Sequence, residues 1–87
     1  MNIEYDHNKN EKNIKERGLS FELFLQFDLS TAKVIEDTRY PYPEKRYQVY
    51  GVVDQRLYVA VITPIADGAR VISLRKANKR EVKKYGE

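Results

Sequence analysis

Cysteine is missing from this chain, and histidine occurs once, at His7. Without cysteine there are no disulfides, no zinc–thiolate sites and no thiol nucleophile. One histidine rules out histidine-rich metal sites and a two-histidine acid–base pair. Beside Asp6 at the start of a helical stretch, His7 reads as a solvated first-turn residue. The phosphate-cradling patterns GxxxxGKS/T and GxGxxG are absent, and no serine sits in a GxSxG elbow. Carboxylates are scattered with no metal-ligand spacing, so neither a metal nor a cofactor is expected. No apolar run approaches the roughly 18 to 20 residues that cross a bilayer. The opening "MNIEYDHNKN" has no apolar core of the signal-peptide kind. The expectation is a cytoplasmic protein with no membrane partner.

What the chain does have is charge. Eighty-seven residues, 41% apolar and 33% charged, fit one domain over residues 1–87. Its core is modest, since a domain of this size buries about 60 to 65% of its unfolded surface. The net charge of +3 is divided unevenly. Residues 1–37 hold five Lys/Arg against eight Asp/Glu, a balance of −3; residues 38–87 hold eleven against five, a balance of +6. The closing stretch "RVISLRKANKREVKKYGE" has seven cations and two glutamates. A basic half on a small domain points to a polyanion, most often nucleic acid, although a solvated cationic surface gives the same balance.

Patterning gives an α+β chain. "NIEYD" alternates as a short strand, with Ile3 and Tyr5 on one side. Asp6 is placed to cap the helix "HNKNEKNIKER" and Gly18 to end it, with Ile14 as the main candidate for burial. Ser20 caps a second helix, "FELFLQFDL", whose Phe21, Leu23, Phe24, Leu25 and Phe27 form a broad apolar stripe. "AKVIED" reads as an edge strand, and "TRYPYPEK" as a loop, because Pro41 and Pro43 force extended backbone. "RYQVYGVV", "LYVAVITPI" and "RVISLRK" follow as an antiparallel meander with tight turns between them, before a short basic helix. The expected architecture is a small antiparallel sheet with two N-terminal helices packed on one face and a short C-terminal helix.

The chemistry left is that of Lys, Arg and Tyr. Strict alternation puts Arg46 with Gln48 and Tyr50 on one face of their strand. In the last strand it puts Arg70 with Ile72 and Leu74, opposite Val71, Ser73 and Arg75. A sheet that covers the phenylalanine helix with one face can keep the other basic and aromatic. That suits single-stranded RNA, where cations meet phosphates and rings stack on bases. The same groups suit metal-free RNA cleavage. There the 2′-hydroxyl attacks its own phosphate, and guanidinium groups stabilise the charge that builds on oxygen. Arginine is a poor base, so proton transfer falls to a lysine, a tyrosine or a glutamate such as Glu44. Binding and cleavage read alike from these residues, and a basic face for an acidic protein is a third reading.

The landmarks also come in a particular order. "IEYD", Lys9, Asn13, Gly18 and Phe21 open the chain; "EKR" and Gly51 lie in the middle; "VAVIT", Arg70, "ISLRKA", Glu81 and Tyr85 follow. This series resembles the BrnT family of type II toxin–antitoxin ribonucleases across nearly the whole chain. The resemblance implies a RelE-like fold and an endoribonuclease that blocks translation. It implies a cognate antitoxin with a ribbon-helix-helix DNA-binding domain, joined to the toxin in a heterotetramer that represses its own operon through operator DNA. Residue by residue, it implies a catalytic set of Lys9, Glu44, Arg46, Arg70, Arg75 and Tyr85, with Glu81 matching the family's C-terminal glutamate. Lys15, Arg17, Lys76, Lys79 and Arg80 are expected to bind RNA. The family's K-H-G is Glu16-Arg17-Gly18 here, which keeps a cation and loses the histidine. The alternative is therefore a protein that binds RNA without cutting it, or an inactive toxin serving as co-repressor.

Overall fold

Local rules set the first helix. In the computed structural model, which describes residues 1–86, β1 (Asn2–Glu4) leads into α1 (His7–Arg17). The Asp6 carboxylate accepts from the Lys9 N–H at 3.0 Å, and Gly18 closes the helix in the left-handed conformation at φ 71°. Ile14 does not dock this helix: it is 40% exposed. Asn10 and Asn13, three residues apart on one helix face, are buried instead. Asn10 Oδ1 accepts from the Phe21 N–H at 2.8 Å. Asn13 Nδ2 donates to the Leu19 and Leu74 carbonyls at 2.9 and 3.0 Å. Each backbone group left buried and unpaired would cost about 1–3 kcal/mol. Two amides can therefore anchor a helix that has no apolar stripe.

The second helix is 3-10 rather than α, and it covers Phe21–Gln26 with Ser20 as its cap. Three residues per turn stack Phe21, Phe24 and Phe27 on one side. All three are buried, and Leu25 is left half exposed. An α-helix would spread the same rings over a wider arc. Phe27 lies against the sheet at Gly51, where a Cβ would overlap its ring.

Five strands lie in the order β1–β5–β4–β3–β2, where β2 is Lys33–Glu36, β3 Tyr47–Val53, β4 Arg56–Ile65 and β5 Gly68–Lys76. Strands β2 to β5 pair antiparallel in sequence order. The sheet is nevertheless mixed, not antiparallel throughout, because Asn2–Glu4 pairs parallel with Gly68–Arg70. The first strand enters beside the last, and three residues of β1 are too short to cover the β5 edge. α1 continues along that edge, which is why Asn13 meets the Leu74 carbonyl. Between β3 and β4, Asp54 and Gln55 turn with φ of 49° and 66°, the two left-handed residues of a tight hairpin. On one face the phenylalanines pack against Val49, Ala60, Ile62, Val71 and Leu74. On the other, a smaller cluster of Tyr50, Leu57 and Val59 meets Ala77 and Tyr85, the latter on α2 (Lys79–Tyr85).

Candidate active site

β4 alternates without interruption, so Leu57, Val59, Val61 and Thr63 point to the face that the phenylalanines do not cover. Its neighbours follow in rows. Tyr50 and Arg75 flank Val59, and Gln48 and Ser73 flank Val61. Arg70 stands beside Thr63 on β5. Arg46 precedes Tyr47, whose partner is Ile62, and so comes next to Thr63 on the other side. At about 4.8 Å between strands, the Cα atoms of Arg46 and Arg70 are about 10 Å apart across Thr63. Arg75 belongs to the row of Val59, about 13 Å further along the strands.

Arg70 reaches this face through a β-bulge. The β4–β5 register passes from Val61 opposite Ser73 to Ile62 opposite Val71, which leaves Ile72 as the extra residue. Strict alternation would have turned Arg70 to the core side with Leu74. Instead Ala69, Val71 and Leu74 are the core residues, and Arg70 joins Arg75. The expected grouping of Arg70 with Ile72 and Leu74 is corrected by that one residue.

The lower part of the face is covered by α2. The Tyr85 ring lies on Tyr50 with centroids 4.2 Å apart and 31° between planes. Glu81 forks the Arg75 guanidinium at 2.8 and 2.9 Å and also caps its own helix by accepting from the Asn78 N–H. Arg75 above all, with the Asn78 N–H, pulls the Glu81 carboxyl down to about 2 against the opposing effect of burial. Burial pushes the Tyr50 hydroxyl up, and this hydroxyl donates to Gln48 Oε1 at 3.0 Å. At neutral pH Glu81 is thus a fixed anion that orients Arg75, and its proton affinity is too low for a general base.

The upper part is open. Arg70 Nε donates to Glu4 at 3.0 Å, with the two side chains 58% and 50% exposed. Such a pair is worth about 0–1 kcal/mol, so an incoming phosphate can displace the carboxylate. Arg46 Nε donates to Glu44 at 3.0 Å, and its guanidinium lies 4.0 Å from the centre of the Tyr42 ring. Behind it, the buried Asp37 carboxylate takes a two-pronged ion pair from Arg39 at 2.8 Å on each side. The Arg39 hydrogen bonds hold that carboxyl below its ordinary range despite burial. Among the described residues no three carboxylate or imidazole side chains gather as metal ligands.

A family model described as "Ribonuclease toxin, BrnT, of type II toxin-antitoxin system" matches residues 5–81. The chain belongs to the BrnT family. No curated protein matches it in sequence. BrnT membership makes it a ribonuclease toxin of a type II system, with RNA as its target and an antitoxin as its partner.

The BrnT match spans Lys9, Glu44, Arg46, Arg70, Arg75 and Glu81 and stops short of Tyr85. Arg46, Arg70 and Arg75 share one face, Glu44 is tied to Arg46, and Tyr85 lies at the covered end. Lys9 and Lys15 are exposed on α1, which packs along the β5 edge. Arg17 Nη1 donates to Asn13 Oδ1 at 3.0 Å and lies 3.4 Å from the Leu74 carbonyl. It therefore helps fasten α1 to β5. Lys76 pairs with Tyr58 and faces away from Arg75. Lys79 and Arg80 are exposed on the first turn of α2, and Arg80 borders a groove of about 270 Å³ with Tyr50, Glu81 and Tyr85. Asp37, Arg39, Gln48 and Tyr50 also frame the site. The alternation of Arg46, Gln48 and Tyr50 signals the last two; no sequence pattern marks an Asp37–Arg39 pair.

Proposed function

We propose that this protein is a metal-independent endoribonuclease toxin whose reaction is carried by the arginine face. Arg46 and Arg70 grip the non-bridging oxygens of the scissile phosphate, and Arg75, pinned by Glu81, supplies a third cation. The 2′-hydroxyl attacks the adjacent phosphorus. Glu44 takes its proton, the P–O5′ bond breaks, and solvent protonates the departing 5′-oxygen. The products are a 2′,3′-cyclic phosphate and a 5′-hydroxyl. Fixed guanidinium groups fit this step because charge grows on the phosphoryl oxygens as the bond breaks. The observation that carries the reading is the bulge at Ile72, which sets two arginines five residues apart on the same side.

Lys9, Lys15, Lys79 and Arg80 extend the field around this face and draw in the RNA backbone. Tyr85 acts by holding α2 against Tyr50 rather than by moving a proton. The fold is RelE-like, the cellular consequence is blocked translation in the cytoplasm, and a ribbon-helix-helix antitoxin neutralises the toxin in a heterotetramer that binds operator DNA. The alternative of a non-cutting co-repressor draws support from Arg17, which stands where the resemblance has histidine and is engaged with Asn13 and Leu74. The decisive experiment incubates the purified protein with RNA in excess chelator and maps the product ends. Cyclic phosphate ends that vanish in Arg46→Ala and Arg70→Ala support the enzyme. Cleavage that needs added divalent metal, or that survives both substitutions, overturns it.

A further inference from the structure

We propose that the segment from Asp37 to Arg46 is a nucleobase-binding loop, in which Tyr40 and the Tyr42–Arg46 pair offer a stacking surface for one unpaired base. The inference rests on the ribonuclease reading and adds the element that selects where the RNA is cut.

This segment has no helix or strand, yet it is tied down at several points. The Asp37 N–H donates to the Arg46 carbonyl at 2.8 Å and closes the mouth of the loop. The Asp37 carboxylate, fully buried, is fixed by Arg39. The Tyr42 N–H donates to the Tyr40 carbonyl at 2.9 Å around Pro41. Arg46 covers one side of Tyr42, and Tyr40 meets Tyr42 edge-on with centroids 5.8 Å apart. Ordering a loop costs entropy, and neither core cluster includes Tyr40 or Tyr42. Tyr40 is 67% exposed, beside a cavity of about 230 Å³ that Tyr42, Lys45 and Arg46 also line.

An exposed ring on a loop with its backbone tied down, with the Arg46 guanidinium lining the same cavity, is what a base with an attached phosphate requires. Arg46 belongs both to this loop and to the row with Arg70, so a base on Tyr40 is covalently joined to a phosphate within reach of that row. Stacking on such a ring tolerates any base but favours those that stack best, which turns a general ribonuclease into one with preferred sites.

The chain lacks tryptophan, so Tyr40→Trp introduces a single reporter. The probe is a 2′-O-methyl oligoribonucleotide, which has no free 2′-hydroxyl and cannot be cut. Saturable quenching of the Tyr40→Trp emission is expected. Tyr40→Ala should bind the labelled oligonucleotide about ten-fold more weakly, with Tyr40→Phe losing far less, and its cleavage ladder on mixed-sequence RNA should shift between sites. Binding without quenching, or an unchanged ladder in Tyr40→Ala, overturns the proposal and leaves the ribonuclease reading standing. If Tyr40→Ala instead loses the antitoxin while keeping RNA affinity, the loop is a protein contact and the proposal falls. If the wild-type protein neither binds the oligonucleotide nor cuts RNA, both readings fall together.

Discussion

On one side of the sheet, Phe21, Phe24 and Phe27 close over Val49, Ala60, Val71 and Leu74, with Leu25, Leu29 and Val34 left exposed at the margin. On the other side, α2 covers only Tyr50, Leu57 and Val59, and Arg70 stays open. The same three strands thus supply most of the buried apolar contact with one face and carry Arg70 and Arg75 on the other. A domain this small reaches stability by concentrating its burial on one side, which frees the second to keep cations that a core would not tolerate.

The hardest test of that division is Phe24→Ala. Removing a 2% exposed ring costs about 3–5 kcal/mol, against a total of about 5–10 kcal/mol for a domain of this size. The thermal transition should broaden or disappear. Arg70→Ala should do the reverse. Its exposed pair with Glu4 is worth at most about 1 kcal/mol, so melting barely moves while RNA cleavage falls about 100-fold. If Arg70→Ala unfolds the protein, the two faces are not separable.

Glu81 sharpens the comparison, because it joins the open face to α2. Its folded pKa, lowered to about 2 chiefly by Arg75, lies below the ordinary 4.5. The group therefore contributes stability that is present above about pH 4.5 and is lost as pH falls towards 2. Glu81→Gln should melt below the wild type at neutral pH, and the gap should close across that acid window. The smallest effect is expected at Gln55, whose φ of 66° is unfavourable for a side chain. Gln55→Gly should raise stability by about 1 kcal/mol with RNA cleavage unchanged.

Much of the frame was legible in the residues. Asp6 and Gly18 mark both ends of α1, the turns mark the meander of β3 to β5, and "AKVIED" reads as the edge strand that β2 is. The spacing of Phe21, Phe24 and Phe27 is that of three residues per turn, but with Leu23 and Leu25 between them it reads equally as an α-helical stripe. Asn13 is a landmark of the resemblance, but no helical pattern marks it or Asn10 for burial; only the backbone carbonyls and N–H groups that need them explain it. The parallel pairing of β1 depends on where the chain returns in space, which three residues cannot encode. At the site, alternation placed Arg46 with Gln48 and Tyr50 correctly and placed Arg70 on the wrong face. Val71 and Ile72 are equally apolar, and nothing in that dipeptide says which one faces the core.

A pleated strand counts in twos, so cations at positions 70 and 75 differ in parity and belong on opposite sides of any regular ladder. The slip at Ile72 cancels that difference. Deleting Ile72 would leave Thr63 opposite Arg70 and Val59 opposite Arg75 in an unbroken ladder, so both guanidinium groups would keep their rows. One residue added between Arg70 and Arg75 instead turns one of them to the phenylalanine side, so an insertion that is silent in the neighbouring turns should abolish activity there, whereas loss of Ile72 should not.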